Sequence, residues 1–416
     1  MSRSVSTIVA LLGLSIFINY IDRGNLATAA TLVKSELHIS ASQLGFLLTA
    51  FFITYMPMQP VVGWLSDRFT ASRVLVAGFV LWSLATVLSG FAQGFVALFA
   101  CRLLLGVGES VSFPTLAKIM CQNVPEAQRG AANGITQAGL CIGPAFGIFF
   151  GGMLIADYGW RPFFIGTGLI SLVWVVAWIL FAHKHVRQAE ASQAADAPPM
   201  GLILREPSLY GASAGHFCAN FVLYFYVTWI PYYLVHQRHW SLPEMARIGG
   251  AAFLTAGITA ILCGTVSDRL IRRGLSATVV RKCAFGIGAL GSAIGLLGCG
   301  YSQSNVGSAA WLIVACGAGG FLGANTYVIA QTMAGPVATG RWVGVQNTLA
   351  NIAGIIAPAL TGILVERTGT FYSAFTVAAA LAFASGVCWI FLVGAIVPID
   401  WSRRSTRLRA VPAAIP

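Results

Sequence analysis

The stretch INYIDRGNLATAA, residues 18–30, decides the fold, because it places Asp22 and Arg23 side by side deep in an apolar run. An ionisable side chain at bilayer depth costs at least a few kcal/mol, so it usually faces protein or water and takes part in function. The stretch therefore predicts a membrane protein with a functional site in its first span. A cleaved signal sequence is disfavoured, because the two charges would interrupt its apolar core.

A second stretch, ACRLLLGVGESVSFPT (residues 100–115), places Arg102 and Glu109 in another apolar helix. Seven residues are two turns, so these side chains share a face about 10.5 Å apart along the helix axis. They are stacked along a path and do not pair with each other. In the first stretch, helix geometry turns Asp22 about 100° away from Arg23, so these neighbours serve different partners. We interpret both stretches as one site.

The composition excludes a soluble enzyme with a single core. The 416 residues are 57% hydrophobic and 9% charged, with a mean hydropathy of +0.78. The net charge of +12 does not indicate nucleic acid, since the basic residues lie mostly in short loops and form no basic face. Nine cysteines are scattered without a CxxC or Cys/His cluster, so no metal and no cofactor is expected. We predict a multi-pass protein embedded in membrane lipid.

Twelve apolar runs appear with a window of about 19 residues. They fall near 7–30, 41–63, 73–91, 95–117, 130–155, 161–182, 209–235, 246–267, 279–300, 308–333, 342–365 and 371–398. We therefore expect an all-α membrane protein with 12 transmembrane helices in two pseudo-symmetric six-helix bundles. The expected parts are an N-terminal bundle (1–182), a cytoplasmic linker (183–207), a C-terminal bundle (208–400) and a basic cytoplasmic tail (401–416).

The basic residues predict the orientation. With both termini in the cytoplasm, the inner loops collect Arg3, Arg68, Arg73, Lys118, Arg129, Lys184, Arg187, Arg205, Arg269, Arg272, Arg273, Arg281, Lys282, Arg341, Arg403, Arg404, Arg407 and Arg409. The outer loops collect only Lys34, Arg161, Arg238, Arg247 and Arg367. Because short cytoplasmic loops carry the excess of Lys and Arg, both termini are predicted to be cytoplasmic. We expect a bacterial-type cytoplasmic (inner) membrane.

One short sequence motif occurs at the same place in each half. G-x-x-S-D-R follows the second run at residues 63–68 and the eighth run at residues 264–269. This repetition indicates duplication. Glycine permits close helix approach, and charged side chains can pair with neighbouring helix ends. We therefore expect a conformational latch and not catalytic acids at Asp67, Arg68, Asp268 and Arg269, although a solvated loop charge would account for one copy alone.

The fifth run carries G-x-x-x-G-P-x-x-G from Gly139 to Gly147. Glycines four residues apart form a smooth stripe against which another helix can pack or slide, and Pro144 adds a kink point. Packing alone accounts for this pattern.

Together, the twelve runs in two halves, the duplicated loops and the glycine-proline fifth helix resemble the major facilitator superfamily. Within it, the chain is similar to the anion:cation symporter branch. This similarity rests on N-Y-x-D-R-x-N (19–25), Arg102 with L-G-x-G-E (105–109), F-P (113–114), W-I-P-Y-Y-L (229–234), G-V-Q-N (344–347) and N-I-A-G (351–354). The resemblance implies proton-driven uptake of small organic anions such as sugar acids or aromatic acids.

The resemblance also implies residue roles. Asp22 and Glu109 match residues associated with proton coupling, and Tyr20 and Arg23 match residues associated with binding the substrate carboxylate. Two more residues, Tyr55 and Asn347, fall where other site residues are expected. Leu140 departs from the pattern, because some sugar-acid carriers have glutamine there, and this weakens the transfer of a particular sugar acid.

The residues themselves support such chemistry. Arginine stays charged and grips a carboxylate with two hydrogen bonds, which suits Arg23 and Arg102. With Asp22 and Glu109 ionised the four charges cancel, so each proton taken up leaves one positive charge that attracts an anion. The alternative is that all four form structural ion pairs, although buried pairs are weak stabilising devices.

The C-terminal half offers polar groups and no embedded charge. We therefore expect it to recognise the rest of the substrate by hydrogen bonds and aromatic contact. Tyr224, Gln346 and Asn347 are the chosen candidates, although helix packing would also account for each. The histidines are expected in loops or near span ends, without a role: His38, His183, His185, His216, His236 and His239.

The predicted function is therefore uptake of a small organic anion by proton symport through alternating access. An organic-anion antiporter or a drug exporter of the same superfamily is the alternative. An enzyme is disfavoured, because the longest polar segment, 183–207, contains no catalytic constellation and no Walker lysine. The expected partners are the organic anion, protons and lipid, without nucleic acid, and we expect a monomer.

Overall fold

A computed structural model describes residues 2–186, 197–402 and 404, and all regular structure in these ranges is helical. The main helices are Arg3–Glu36, Ala41–Arg68, Ala71–Gly90, Phe95–Glu109, Ser112–Asn123, Arg129–Tyr158, Trp160–Phe181, Pro207–Tyr232, Leu242–Arg272, Ala277–Tyr301, Asn305–Asn351, Ala353–Thr368 and Tyr372–Val387. Short helical turns occupy Glu126–Gln128, His183–His185, Met200–Ile203, Tyr233–Gln237 and Cys388–Leu392.

Eleven helical stretches in the described ranges are long and apolar enough to cross a membrane. One of them, Asn305–Thr368, has 64 residues, which would extend to about 95 Å and cross a 30 Å apolar layer three times over. Gly335 interrupts it with φ 66° and ψ 179°, and Pro336 follows. Because this φ strongly favours glycine, the sequence Gly-Pro sets the turn. Counted on each side of the turn, the spans number twelve, as predicted.

Two predicted spans are broken inside the membrane. The fourth ends one helix at Glu109 and begins the next at Ser112, because Pro114 has no N–H for the carbonyl of Ser110. The eleventh breaks between Asn351 and Ala353. Both were predicted as continuous apolar runs. Both breaks lie at or close to predicted site residues.

The glycine stripe of the fifth span packs against another helix, as predicted, and that helix is the first span. A Cβ added at Gly139 would lie 2.6 Å from the carbonyl oxygen of Gly13, and one added at Gly143 would lie 2.7 Å from that of Phe17. Side chains there would push the two helices apart. The stripe therefore sets the depth at which the first span, with Tyr20 and Arg23, lies in the protein.

The glycines of the repeated G-x-x-S-D-R motifs make close contacts between the two halves of the chain. Gly63 in the second span abuts the backbone of Gly340 in the eleventh, and Gly264 in the eighth abuts that of Gly130 in the fifth. An added Cβ at either position would come closer than 3.0 Å to backbone atoms. The halves thus meet backbone to backbone at two related places, which define the Asp67–Asp268 end of the molecule.

Three basic residues assigned to inner loops are instead buried at or near this end. Lys118 and Arg281 are each 1% exposed, and Arg341 is 8% exposed. Lys118 pairs with Asp67, and Arg281 donates to Asn325 Oδ1 at 3.0 Å. They are buried because each has a polar partner inside the protein.

The predicted boundaries between bundles, linker and tail stay predictions. Much of the linker, 187–196, and most of the tail, 403 and 405–416, lie outside the described residues.

Candidate functional site

Arg23 is the centre of the site. Its Nε donates to Glu109 Oε2 at 2.9 Å, and the side chains are 13% and 0% exposed. The guanidinium carbon lies 4.7 Å from the centre of the Tyr20 ring and 4.6 Å from that of Tyr55. Aromatic faces attract such a cation when it is shielded from water. The structure thus brings four predicted site residues together.

The Arg23–Glu109 pair uses one hydrogen bond where two are possible. Arg23 Nη2 and Glu109 Oε1 are both buried and have no hydrogen-bond partner among the described residues. A two-pronged arginine–carboxylate pair would normally satisfy both atoms. One donor of Arg23 is therefore available to another oxyanion.

Asp22 belongs to a separate set of contacts, as helix geometry predicts. It is 2% exposed, and it accepts from Trp82 Nε1 and from Asn25 Nδ2, each at 3.0 Å. Arg102 is 4% exposed, and its Nε has no hydrogen-bond partner in the described ranges. The same ranges show no ion pair between Arg102 and Glu109. Both arginines thus keep unused donors beside buried acids.

A cavity lies beside this group and meets it at Tyr20, whereas Arg23, Glu109 and Tyr55 are not among its lining residues. Residues from both halves line it, among them Tyr20, Phe113, Gln137, Leu140, His216, Asn220, Tyr226, Tyr327, Asn347 and Asn351.

A series of hydrogen bonds connects the two halves beside the cavity. Asn347 Nδ2 donates to the Tyr55 hydroxyl at 3.4 Å, and Tyr327 donates to Asn347 Oδ1 at 3.0 Å. Nearby, Tyr224 donates to Asn351 Oδ1 at 2.8 Å. The predicted residues Tyr55 and Asn347 are therefore in contact. Tyr224 contacts Asn351, which lies one helical turn after Asn347.

His216 is a cavity residue that the sequence analysis missed. It was expected near a span end without a role, but it lies within Pro207–Tyr232, is 6% exposed and lines the cavity. Gln346, a predicted site residue, contacts its Nδ1 at 3.4 Å. The available signal was the spacing of His216 and Asn220, which places both on one helix face.

The two repeated aspartates accept hydrogen bonds from the opposite half. Asp67 accepts from the backbone N–H groups of Gly340 and Arg341 at 3.2 and 2.9 Å. Asp268 accepts from those of Gly130 and Ala131 at 3.0 and 2.8 Å. Carboxylates favour such positions near helix starts. Both therefore join the halves at the Asp67–Asp268 end.

The two arginines of the predicted latch lie elsewhere. Arg68 is exposed and stacks over Trp64 at 5.3 Å, and Arg269 is exposed. The cationic partners of Asp67 are Lys118, whose Nζ lies 2.7 Å from Oδ1, and Arg341, whose Nε lies 3.8 Å from Oδ2. Adjacent residues on a helix point about 100° apart, so an aspartate that faces inward leaves the next arginine facing outward.

Curated relatives match the chain over nearly its full length. It is 30% identical over 402 residues to the probable sulfoacetate transporter SauU of Cupriavidus necator, covering 92% of this chain and 93% of that protein. It is 30% identical over 406 residues to the hexuronate transporter of Bacillus subtilis, covering 95% and 96%. It is also 30% identical to the probable galactarate/D-glucarate transporter GarP of Escherichia coli, covering 91% and 92%.

Solved structures share the fold. The proton:xylose symporter XylE superimposes with a TM-score of 0.72 at 14% identity, covering 94% of this chain and 96% of that one. The transporter FucP, in its outward conformation, gives a TM-score of 0.72 at 14% identity, covering 94% and 100%. Residues 12–280 match the family Major Facilitator Superfamily. The chain is therefore a multi-pass membrane transporter, not an enzyme, and belongs to the Major Facilitator Superfamily.

Proposed function

We propose that the protein takes up a small organic anion, a sugar acid or another carboxylate, by proton symport through alternating access. The observation that carries this proposal is the one-bond pairing of Arg23 with Glu109 beside the central cavity. The relatives are named as a probable sulfoacetate, a hexuronate and a probable galactarate/D-glucarate transporter, and all of these substrates are acids.

In this proposal the substrate carboxylate and Glu109 compete for Arg23. The free Nη2 of Arg23 receives the incoming carboxylate first, because it has no other partner among the described residues. When the carboxylate forms two hydrogen bonds with Arg23, it replaces Glu109 as the acceptor of the Nε hydrogen bond. Glu109, with no exposed surface, would be left as an uncompensated buried charge unless it takes up a proton.

This competition couples the two ligands. If a proton on Glu109 strengthens binding of the anion, then the bound anion strengthens binding of the proton by the same factor. Substrate and proton thus load together. Asp22 offers a second proton site with its own partners, Trp82 and Asn25, and Arg102 keeps the region positive when both acids are neutral.

Of the remaining proposed binding residues, Tyr20 and Asn347 line the cavity. Tyr20 and Tyr55 flank Arg23, while Tyr224, Gln346 and Asn347 supply contacts from the C-terminal half. We assign the same transport cycle to a monomer in a bacterial inner membrane with both termini cytoplasmic.

Release to the cytoplasm requires the Asp67–Asp268 end to open. Both aspartates would lose their hydrogen bonds to the opposite half as the two bundles rock around the site. We assign them the latch role, with Lys118 and Arg341 as the cations beside Asp67. Arg68 and Arg269 are left as exposed charges beside the latch.

The test is uptake into proteoliposomes of radiolabelled aldonates, uronates, dicarboxylates, sulfonates and aromatic acids under an inward proton gradient. Wild type is compared with Arg23→Lys, which keeps the charge but loses the two-pronged grip. Arg367→Lys at an exposed site is the matched control. We expect one class of acid to accumulate, Arg23→Lys to lose that accumulation, and Arg367→Lys to retain it.

Two results would count against the proposal. Accumulation of an acid only when a second anion is preloaded would indicate the antiporter. Gradient-dependent extrusion of a cationic dye with no movement of any acid would indicate the exporter.

A further inference from the structure

The protonation of His216 follows from its neighbours. The Trp342 indole N–H can only donate, and it donates to Gln346 Oε1 at 3.0 Å. This bond orients the amide, so that Gln346 Nε2, also only a donor, faces His216 Nδ1 at 3.4 Å. Nδ1 therefore accepts a hydrogen bond, and the neutral ring carries its proton on Nε2.

The ring is also held from a second side. The Tyr327 ring stands nearly perpendicular to it, at 88°, with 5.5 Å between the centroids. The Tyr327 hydroxyl is itself tied to Asn347. With Nδ1 engaged by Gln346 and one edge packed on Tyr327, the ring lines the cavity and its Nε2–H is the polar atom left for a ligand.

A series of contacting side chains connects Arg23 to His216. Arg23 contacts Tyr55, Tyr55 contacts Asn347, Asn347 contacts Tyr327, and Tyr327 contacts His216. Three side chains thus separate the guanidinium from the imidazole. Tyr20, which packs on Arg23, lines the same cavity as His216, so an anion that is held by Arg23 and extends into the cavity can reach His216 with its other end.

We infer that His216 is a specificity-determining residue whose Nε2–H donates to an uncharged acceptor oxygen at the end of the anion remote from its carboxylate. This inference rests on the proposed function and deepens it. The substrate class is then a hydroxylated carboxylic acid. A site built to hydrogen-bond a hydroxyl rejects the analogue that lacks it, because the buried donor is left unpaired.

The test measures dissociation constants of purified protein for three pairs of acids. Each pair differs by one remote hydroxyl: gluconate and 6-deoxygluconate, 4-hydroxyphenylacetate and phenylacetate, 6-hydroxyhexanoate and hexanoate. In wild type, at least one pair should show the hydroxylated acid binding about 10- to 100-fold tighter. Proteoliposome uptake of the same six acids under a proton gradient runs in parallel.

Two variants at this position distinguish the contributions of the two ring nitrogens to binding. His216→Asn places an amide near Nδ1 and leaves nothing at Nε2, so the ratio within the pair should fall to within about 3-fold of unity. His216→Gln places an N–H₂ near Nε2 and should keep most of the ratio. His239→Asn is the matched control, because His239 is exposed with φ 55°, a conformation that asparagine tolerates.

The possible outcomes are distinct. If acids bind and accumulate but wild type shows no preference in any pair, or His216→Asn weakens both members of a pair equally, the inference is wrong and the proposed function stands. If no acid binds or accumulates, both fail. If His216→Asn does not fold, Trp342→Phe, which frees the Gln346 amide to turn, must lower the same ratio, and an unchanged ratio overturns the inference.

Discussion

Asp67→Asn is predicted to open the Asp67–Asp268 end. The Asp67 and Lys118 side chains are 0% and 2% exposed and lie 2.7 Å apart. Removing one partner of a buried ion pair costs about 3–5 kcal/mol, because the other charge stays buried and unpaired. The cost falls on the closed form alone if opening lets water reach Lys118. Even about 3 kcal/mol shifts the closed-to-open ratio by a factor on the order of 10².

A native cysteine reports this change. Cys121 lies one turn after Lys118, is 4% exposed and contacts the carbonyl oxygen of Gln331 in the tenth span. In a variant that keeps Cys121 as its sole cysteine, maleimide reacts only when that end opens. Its alkylation rate tracks the open population when opening and closing are fast.

The expected result is a large rise in Cys121 alkylation, on the order of 10²-fold, in Asp67→Asn. The matched control is Arg68→Gln, because Arg68 is the exposed neighbour, and its rate should equal that of the parent. An equal rate in folded Asp67→Asn and in the parent would refute the reasoning that Asp67 holds this end closed.

Three further predictions follow from the same structure. Gly264→Val should abolish uptake while the protein still binds its acid, because the new side chain would meet the backbone of Gly130. An alanine introduced elsewhere on the same helix face should leave uptake intact. Equilibrium binding and uptake are measured for both variants. Arg161, with the Trp160 indole, donates to Glu36 and holds the pKa of that carboxyl below its ordinary value of 4.5. The thermal stability of wild type should therefore fall as the pH drops below that value, while Glu36→Gln shows a flatter profile in a melting series from pH 7 to pH 3. Trp82→Phe removes one of the two side-chain hydrogen bonds that the Asp22 carboxylate accepts in the described ranges. It should lower the accumulation ratio more than the exchange rate, as paired uptake and counterflow assays would show.

Much of this architecture is predictable from sequence because its signals are periodic or repeated. The stripe of Gly139 and Gly143 has one physical reading, a flat helix face, and it indeed packs on the first span. The duplicated Asp67 and Asp268 point to equivalent positions, and both accept backbone hydrogen bonds from the opposite half.

Other features depend on which helix faces meet, and a single sequence does not reveal this. Lys118 resembles a loop lysine until its helix is placed beside Asp67. His216 stands alone in an apolar run, and only the positions of Trp342 and Gln346 on the eleventh span show what orients it. Likewise, nothing in the spacing of Arg23 and Glu109 predicts that they pair, because 86 residues separate them.

The most direct test of the central claim is the pH dependence of acid binding in Glu109→Gln, compared with wild type and Asp22→Asn. If the substrate and Glu109 compete for Arg23, wild type should bind its acid more tightly as the pH falls. Glu109→Gln should bind tightly with a much flatter pH profile and should no longer accumulate the acid under a proton gradient. A Glu109→Gln protein whose binding follows the wild-type pH profile, or which still accumulates its acid against a gradient, would contradict the account.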